Sequence, residues 1–447
     1  MLEKLGLAFE SWVRRNMPDP FVLVLLLSGL TFALAWAINP TAAGLEILPR
    51  AWFAGFWKLL SFSMQMVLIV VTGEAIVSTR PVRRLFGRIS ELPRTPNAAL
   101  WTLSTFALAA GWLHWGFGLI GSALLARQMA GVLSRKGIRV DYPLMGTAAY
   151  LSMLLWHAGT TATAPLLINT PGHFLEHKIG LIPLRETVFL PSNLIVCALL
   201  FLVVPWIIVG MHRKKPRPID EFLSKTELAA AEPETTRRPK ASTPAERLDH
   251  SPWIGRTMAL LCLASIGWIW SNAGFDLTHN MVNFLLLSAG LLIHGSPVAY
   301  SRAIAQSVRG TSGIILQFPF YGGIMEVMEQ SHLGTSIAHQ FVRFASAETL
   351  PFFAYLASVL TKLFIPSGGG EWAVEGPVML EAAKNLGGHV GRTTMGIAYG
   401  NMVGNLFQPF WAIPLLSVLG LGARDIMGYC LVVFLFAFPI LGLALLL

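Results

Sequence analysis

Long apolar runs alternate with short polar stretches along this chain. The runs at 21–38, 188–210, 253–271 and 426–447 each approach or pass the ~20 residues that a helix needs to cross a bilayer. The pattern predicts an all-α polytopic membrane protein. Four irregular stretches interrupt it: "GWLHWGFG" (111–118), "WHAGTTATAP" (156–165), "PSGGGEW" (366–372) and "GNMVGNLFQP" (400–409). Backbone broken inside hydrocarbon leaves N–H and C=O groups unpaired at several kcal/mol each, so such breaks persist only where protein, water or a ligand satisfies them.

One polar, Pro-rich segment divides the pattern. Residues 211–251 read as an aqueous linker between an N-terminal repeat (1–210) and a C-terminal repeat (252–447). The halves resemble each other. "WKLLSFSMQMVLIVVTGEAIV" (57–77) meets "RGTSGIILQFPFYGGIMEVME" (309–329) in a register that brings Gln65 onto Gln317 and Glu74 onto Glu326. "WGFGLIGSALLAR" (115–127) meets "GEWAVEGPVMLEA" (370–382), bringing Gly121 onto Gly376, and the 146–167 stretch brings Pro165 onto Pro414. Three weak matches in one order at a nearly constant offset point to an internal duplication.

Charge sets an orientation. The 54% hydrophobic and 13% charged content of the 447 residues is far from the roughly 25% charged of a soluble domain. The +9 net charge gathers between apolar runs, as the positive-inside rule produces, rather than in a nucleic-acid-binding patch. Five arginines at 79–96, the Arg127, Arg135, Lys136 and Arg139 group, and the linker are all expected on the cytoplasmic side. Residues 97–132 must then return to the face they entered from. Their two arms, counted as about 14 residues each, favour a re-entrant hairpin over two crossings. A second hairpin follows around 350–386 with its tip at "PSGGGEW". The extra run at 253–271 has no counterpart in the first half. It makes the repeats inverted, with hairpin tips and broken helices meeting near the midplane, an arrangement used by secondary transporters.

The N-terminal 20 residues hold Glu3, Lys4, Glu10, Arg14, Arg15 and Asp19 with no A-x-A site close behind, so the first apolar run is expected to be a retained helix. Cys197, Cys262 and Cys430 sit inside apolar runs without metal-ligand spacing, and no metal or organic cofactor is expected. No H-E-x-x-H or G-x-S-x-G appears, so the motifs of a zinc or serine hydrolase are absent.

At the second tip, Pro366 ends one arm while Ser367, Gly368, Gly369 and Gly370 free the backbone to turn. The following helix would present N–H groups that suit a carboxylate. Glycines used purely for helix packing are the alternative. Glu371 and Glu375 share a helix face at i and i+4. They are candidates to bind a coupling H⁺ or Na⁺, or else helix-start acids in a wet vestibule, with Lys362 near enough in sequence to pair with one of them. Trp112, His114, Trp115 and Gly116 at the first tip could enclose a small, partly apolar anion. His157, Thr160, Thr161 and Thr163 in one broken helix, and Asn401, Asn405 and Gln408 in the other, supply donors without fixed charge, as a monocarboxylate needs. A dicarboxylate carrier would call for more positive charge at the midplane, where Lys58 and Lys362 are the candidates. A channel or membrane-embedded enzyme is a further alternative.

The stretches "WGFGLIGSALLA" (115–126), "WHAGTTATAPL" (156–166), "PSGGGEWAVEGP" (366–377) and "YGNMVGNLFQPFWAIPLL" (399–416) resemble the short-chain fatty acid transporter family, and the likeness covers nearly the whole chain. That resemblance implies a bacterial inner-membrane carrier of acids such as acetoacetate or butyrate. It also implies membership of the ion-transporter superfamily, with paired re-entrant hairpins and elevator-type motion. This chain departs from the family pattern at Glu371 and Glu375, where the family tends to carry Gln, and at "TTAT" (160–163). The expected partners are a small organic anion and the lipid bilayer, with no nucleic acid and with a homodimer left open.

Overall fold

The computed structural model describes residues 1–41, 44, 46–77, 79–171, 173, 175–223, 243–274 and 279–446. Helices dominate, with no strand among the described residues. Seven described helices are long and apolar enough to cross a membrane: Pro20–Ile38, Ile47–Ile76, Trp115–Arg135, Tyr142–Asn169, Pro191–Gly210, Pro252–Asn272 and Ala423–Leu446. Alternate ends of these apolar rods carry capping signals. Asp19 and Thr95 accept backbone N–H groups at the starts of their helices, each with Pro at the first helical position. There its missing N–H costs nothing.

Both hairpins form. The first joins Pro96–Leu113 to Trp115–Arg135 through the single residue His114, whose Nδ1 accepts the Phe117 N–H at 3.3 Å. Its arms are 18 and 21 residues long, which corrects the shorter arms read from the sequence. An apolar run ends at its first charge, whereas a helix continues as long as one face stays buried. Met129, Ala130, Val132 and Leu133 bury that face beyond Arg127, and the Thr95 cap with Pro96 starts the first arm early. Arm length therefore no longer argues for re-entry. At the tip, His114 and Trp115 are buried in the protein while Leu113 and Phe117 are exposed. The second hairpin joins Leu350–Thr361 to Gly368–Leu386.

After each hairpin comes an interrupted helix. Tyr142–Tyr150 and Ser152–Leu155 pass through a tight turn at Trp156–Ala158 into Thr163–Asn169. Val390–Gly404 breaks at 405–411 and resumes as Ala412–Leu419. The hairpin-then-broken-helix order thus occurs in both halves.

Glycine decides how closely these parts approach. Gly396, Gly400 and Gly404 recur every four residues and face the incoming arm of the second hairpin. A Cβ on Gly396 would stand 2.1 Å from the Pro351 carbonyl oxygen, one on Gly400 2.4 Å from Ser358 Cβ, and one on Gly404 2.5 Å from Lys362 Cγ. In the first hairpin, Gly118 meets Gly111, and Gly111 meets the Ser152 carbonyl. Such small-residue stripes let helix backbones touch where lipid gives no hydrophobic drive for association.

The expected aqueous linker opens with packed residues. Met211, Ile219 and Leu223 are buried. Arg213 meets Asp141 at 2.9 Å and Arg217 meets Glu10 at 2.7 Å, tying the linker's start to the N-terminal helix Leu2–Asn16. The middle of the linker, 224–242, lies outside the described residues.

Replacing Gly396 with Ala forces a methyl into the Pro351 carbonyl, a clash that costs on the order of 1–3 kcal/mol. The thermal unfolding midpoint of the detergent-solubilised protein should fall in Gly396→Ala. It should stay unchanged in Gly267→Ala, where a Cβ meets nothing within 4 Å. Equal midpoints for the two variants would sink this packing account.

Candidate functional site

The four irregular stretches converge on three tryptophans. Trp115 comes from the first tip, Trp156 from the first broken helix and Trp411 from the second. Their ring centroids lie 5.1 Å (115–156), 5.3 Å (115–411) and 4.9 Å (156–411) apart. The second tip joins them because Trp411 Nε1 donates to the Pro366 carbonyl at 2.9 Å. Edge-to-face geometry adds to the area buried by such rings. The indole N–H groups meanwhile satisfy carbonyls freed by the helix breaks, and Trp156 Nε1 donates to the Thr161 carbonyl in the same way.

The second tip is a helix start with open amides. Ser367 caps it, its hydroxyl accepting the Gly370 N–H at 3.3 Å. Gly368 and Gly369 are the first two helical residues, so their N–H groups have no partner within the helix. Gly368 lies against His157 of the first broken helix: a Cβ there would stand 2.6 Å from His157 Cε1 and 3.2 Å from Thr163 Oγ1. His157 is held by stacking on Trp156 at 4.1 Å, and its Nδ1 accepts the Thr163 N–H at 3.4 Å. Its Nε2 is buried without a hydrogen bond of good geometry, and Asn401 lies beside the ring. The helix start of one half thus lies against an imidazole of the other.

Other predicted donors are spent on structure. Thr160 donates from its backbone to the Trp112 carbonyl at 2.9 Å and from its hydroxyl to the Leu113 carbonyl. Thr161 accepts the Trp115 N–H at 3.2 Å. The pair sews the first tip to the first broken helix. Trp112 turns its ring toward Phe189, away from the tryptophan cluster, and Gly116 lies beside the His114 ring. Asn405 Nδ2 reaches the Met153 carbonyl at 3.3 Å, and Gln408 Oε1 accepts the Phe410 N–H at 3.0 Å. The Asn405 Oδ1, Gln408 Nε2 and Tyr321 hydroxyl groups are buried without partners.

Behind the second tip lies a sealed charge cluster. Lys362 Nζ donates to the Pro366 carbonyl at 2.6 Å and to Asn401 Oδ1 at 2.7 Å. Asn401 in turn donates to Glu371, which also accepts from Ser358. Lys362 and Glu371 are therefore linked through one amide rather than by direct contact. The residues the sequence reading passed over are Trp156, Trp411 and Ser358. The two tryptophans were visible inside the quoted runs, but nothing in the sequence marked them as partners. The other position-matched polar residues hold helices together. Glu74 pairs with Arg127 at 3.2 Å, Glu326 with Lys58 at 2.7 Å, and Gln65 with Asn280 at 2.7 Å. The cysteines are free thiols, and among the described residues no group of His, Cys, Asp and Glu has the arrangement of a metal site.

Apolar spanning helices around a polar, broken-helix centre define a multi-pass helical membrane protein. The family model for short chain fatty acid transporters matches residues 1–447. The chain is 39% identical over 438 residues to an Escherichia coli (strain K12) protein, with 98% of both chains covered. It is 35% identical over 450 residues to one from Haemophilus influenzae (strain ATCC 51907), again with 98% of both covered. Both relatives bear the name "Putative short-chain fatty acid transporter". This chain belongs to the short-chain fatty acid transporter family, whose members are transporters and not enzymes. Among solved structures, it is similar to the YdaH transporter of Alcanivorax borkumensis (15% identity, TM-score 0.46, 96% of this chain and 97% of that one). MtrF of Neisseria gonorrhoeae, described with a class of antimetabolite efflux pumps, matches at 14% identity and TM-score 0.41, over 98% of this chain and 96% of that one.

Asn401→Ala removes an acceptor from Lys362 and a donor from Glu371, leaving buried charge under-satisfied at roughly 1–3 kcal/mol per group. Its unfolding midpoint should drop below that of Asn272→Ala, whose amide is exposed and bonds its own helix at the Trp268 carbonyl. Matching midpoints would remove Asn401 as the bridge.

Proposed function

We propose that this protein is a secondary active transporter of short-chain monocarboxylates, acetoacetate and butyrate among them, across the bacterial inner membrane. The observation that carries the reading is at the centre: the helix start at Gly368 and Gly369, whose N–H groups have no partner within the helix, lies against His157 of the other half. Helix-start amides favour a carboxylate without a full counter-charge, and the tryptophan cluster gives an apolar wall for a short acyl chain. Ser367, Thr163 and Asn401 border the same space.

A dicarboxylate carrier is less well supported, because both candidate lysines are engaged. Lys58 holds Glu326 and Glu329, and Lys362 holds Pro366 and Asn401. The second hairpin packs with Leu333–Val342 and residues 164–168 in one apolar cluster, while its Tyr355, Phe364, Ile365 and Val374 join the main core. The hairpin-then-broken-helix order in both halves supports two inverted repeats, with a hairpin-bearing part sliding against a scaffold. The arginine-rich 79–96 segment and the linker support a cytoplasmic N-terminus and linker.

Purified protein in proteoliposomes should take up labelled butyrate and acetoacetate saturably, above the passive leak of protein-free vesicles. Absence of saturable uptake for every C2–C6 monocarboxylate would overturn this function. Saturable uptake confined to dicarboxylates would favour the alternative.

A further inference from the structure

A short helix, Arg80–Glu91, joins the spanning helix Ile47–Ile76 to the first hairpin, whose arm starts at Pro96. It is 12 residues long, about 18 Å. Its inner side is spent on packing. Phe86 and Ser90 are buried and Ile89 is half-buried, and the helix rests on the return arm Trp115–Arg135. A Cβ on Gly87 would stand 3.5 Å from Gln128 Nε2 of that arm. Just past the arm, Lys136 Nζ donates to the Glu91 carbonyl at 3.1 Å. Tied to a spanning helix at one end and to a hairpin at the other, this helix lies along the border of the bilayer.

Its outer side is ordered. At 3.6 residues per turn, Arg84 and Arg88 follow one another along one edge. Leu85 and Leu92 lie two turns apart and run beside them, Leu92 keeping helical backbone at the C-cap. Both leucines are exposed, by 57% and 71%, and so are both arginines. Glu91 falls on the far side of the arginines from the leucines. Arg94 and Lys136 are exposed near the end of the helix. Among the described residues, no carboxylate lies within ion-pair distance of Arg84, Arg88 or Arg94.

A basic edge beside an apolar strip suits a helix lying in the lipid headgroup layer, with its leucines toward the acyl chains and its cations level with the phosphates. Guanidinium forks match phosphate oxygens bidentately. A second copy of this chain fits the stripe poorly, because a two-fold contact would set the arginine edges against each other.

We infer that Arg84 and Arg88, with Lys136 near the helix end, bind the phosphate of an anionic phospholipid whose acyl chains pack on Leu85 and Leu92. A zwitterionic headgroup carries its own cation beside the phosphate and is held less well. Lipid bound here braces the return arm of the first hairpin from outside. The site does not depend on what the protein carries.

The test uses the full-length protein in uncharged detergent, with phosphatidylglycerol or phosphatidylcholine of the same acyl chains added. Phosphatidylglycerol should raise the thermal unfolding midpoint of wild type by several degrees more than phosphatidylcholine does. That extra rise should shrink in about 1 M NaCl, where the Debye length is roughly 3 Å. The double variant Arg84→Gln/Arg88→Gln should keep the lipid-free midpoint, since both side chains are exposed, and lose most of the extra rise. Arg185→Gln/Arg343→Gln removes the same charge at two other exposed arginines and should keep the rise. Native mass spectrometry should count fewer phosphatidylglycerol adducts on the first variant than on the second. Equal rises with the two lipids, an undiminished rise in the first variant, an equal loss in the second, or the same rise from inorganic phosphate alone would each overturn the inference. So would a lowered lipid-free midpoint in the first variant, which would assign the arginines to the fold. A dimer that dissociates in that variant would give the stripe to a second copy and overturn it too.

Discussion

Inside a bilayer, backbone polar groups have no water to fall back on, so every break in a helix has to be satisfied by another part of the protein. The centre of this structure is organised around that constraint. The Pro366 carbonyl, freed where the second hairpin turns, takes two donors, Lys362 Nζ and Trp411 Nε1. The Trp112 carbonyl at the end of the first arm takes the Thr160 N–H. The Asn405 carbonyl, at the break in the second interrupted helix, takes the Tyr150 hydroxyl at 2.9 Å. Each break is closed by another part of the protein, and the Tyr150 bond crosses from one half of the chain to the other. The amides at Gly368 and Gly369 gain their interest from this background, being the polar groups left at the start of a helix that faces the other half.

Close packing makes the charge cluster possible. Gly396, Gly400 and Gly404 bring Val390–Gly404 within contact of the incoming hairpin arm, and that approach places Asn401 between Lys362 and Glu371. A buried ion pair recovers its desolvation cost only when geometry and extra hydrogen bonds are good, and the Asn401 amide supplies both.

The apolar tryptophan cluster and the polar tip divide the work of a carrier for small acids. The rings pin four interrupted segments to one another without fixed charge. The helix start offers dipoles where a carboxylate group would sit.

The sequence by itself determined the class, the position of four of the seven long apolar helices described, and four irregular stretches between or within helices. Hydrocarbon imposes length and composition directly on the chain, so 253–271 and 426–447 could be read without a structure. It also placed the tips at 111–118 and 366–372, the second because Pro366 ends the incoming arm and the glycines after it free the backbone to turn. Hairpin arm length was misjudged because a helix runs past its apolar run wherever one face is covered, and coverage is a property of the neighbours. Thr160 and Thr161 looked like ligand donors, yet the fold spends them on the first tip. Asn401 looked like one of three equivalent amides, yet it alone sits between Lys362 and Glu371. Residue type reveals what a side chain can bond to. Only tertiary packing, which brings positions tens to hundreds of residues apart within 3 Å, decides what it does bond to and which group is left without a partner.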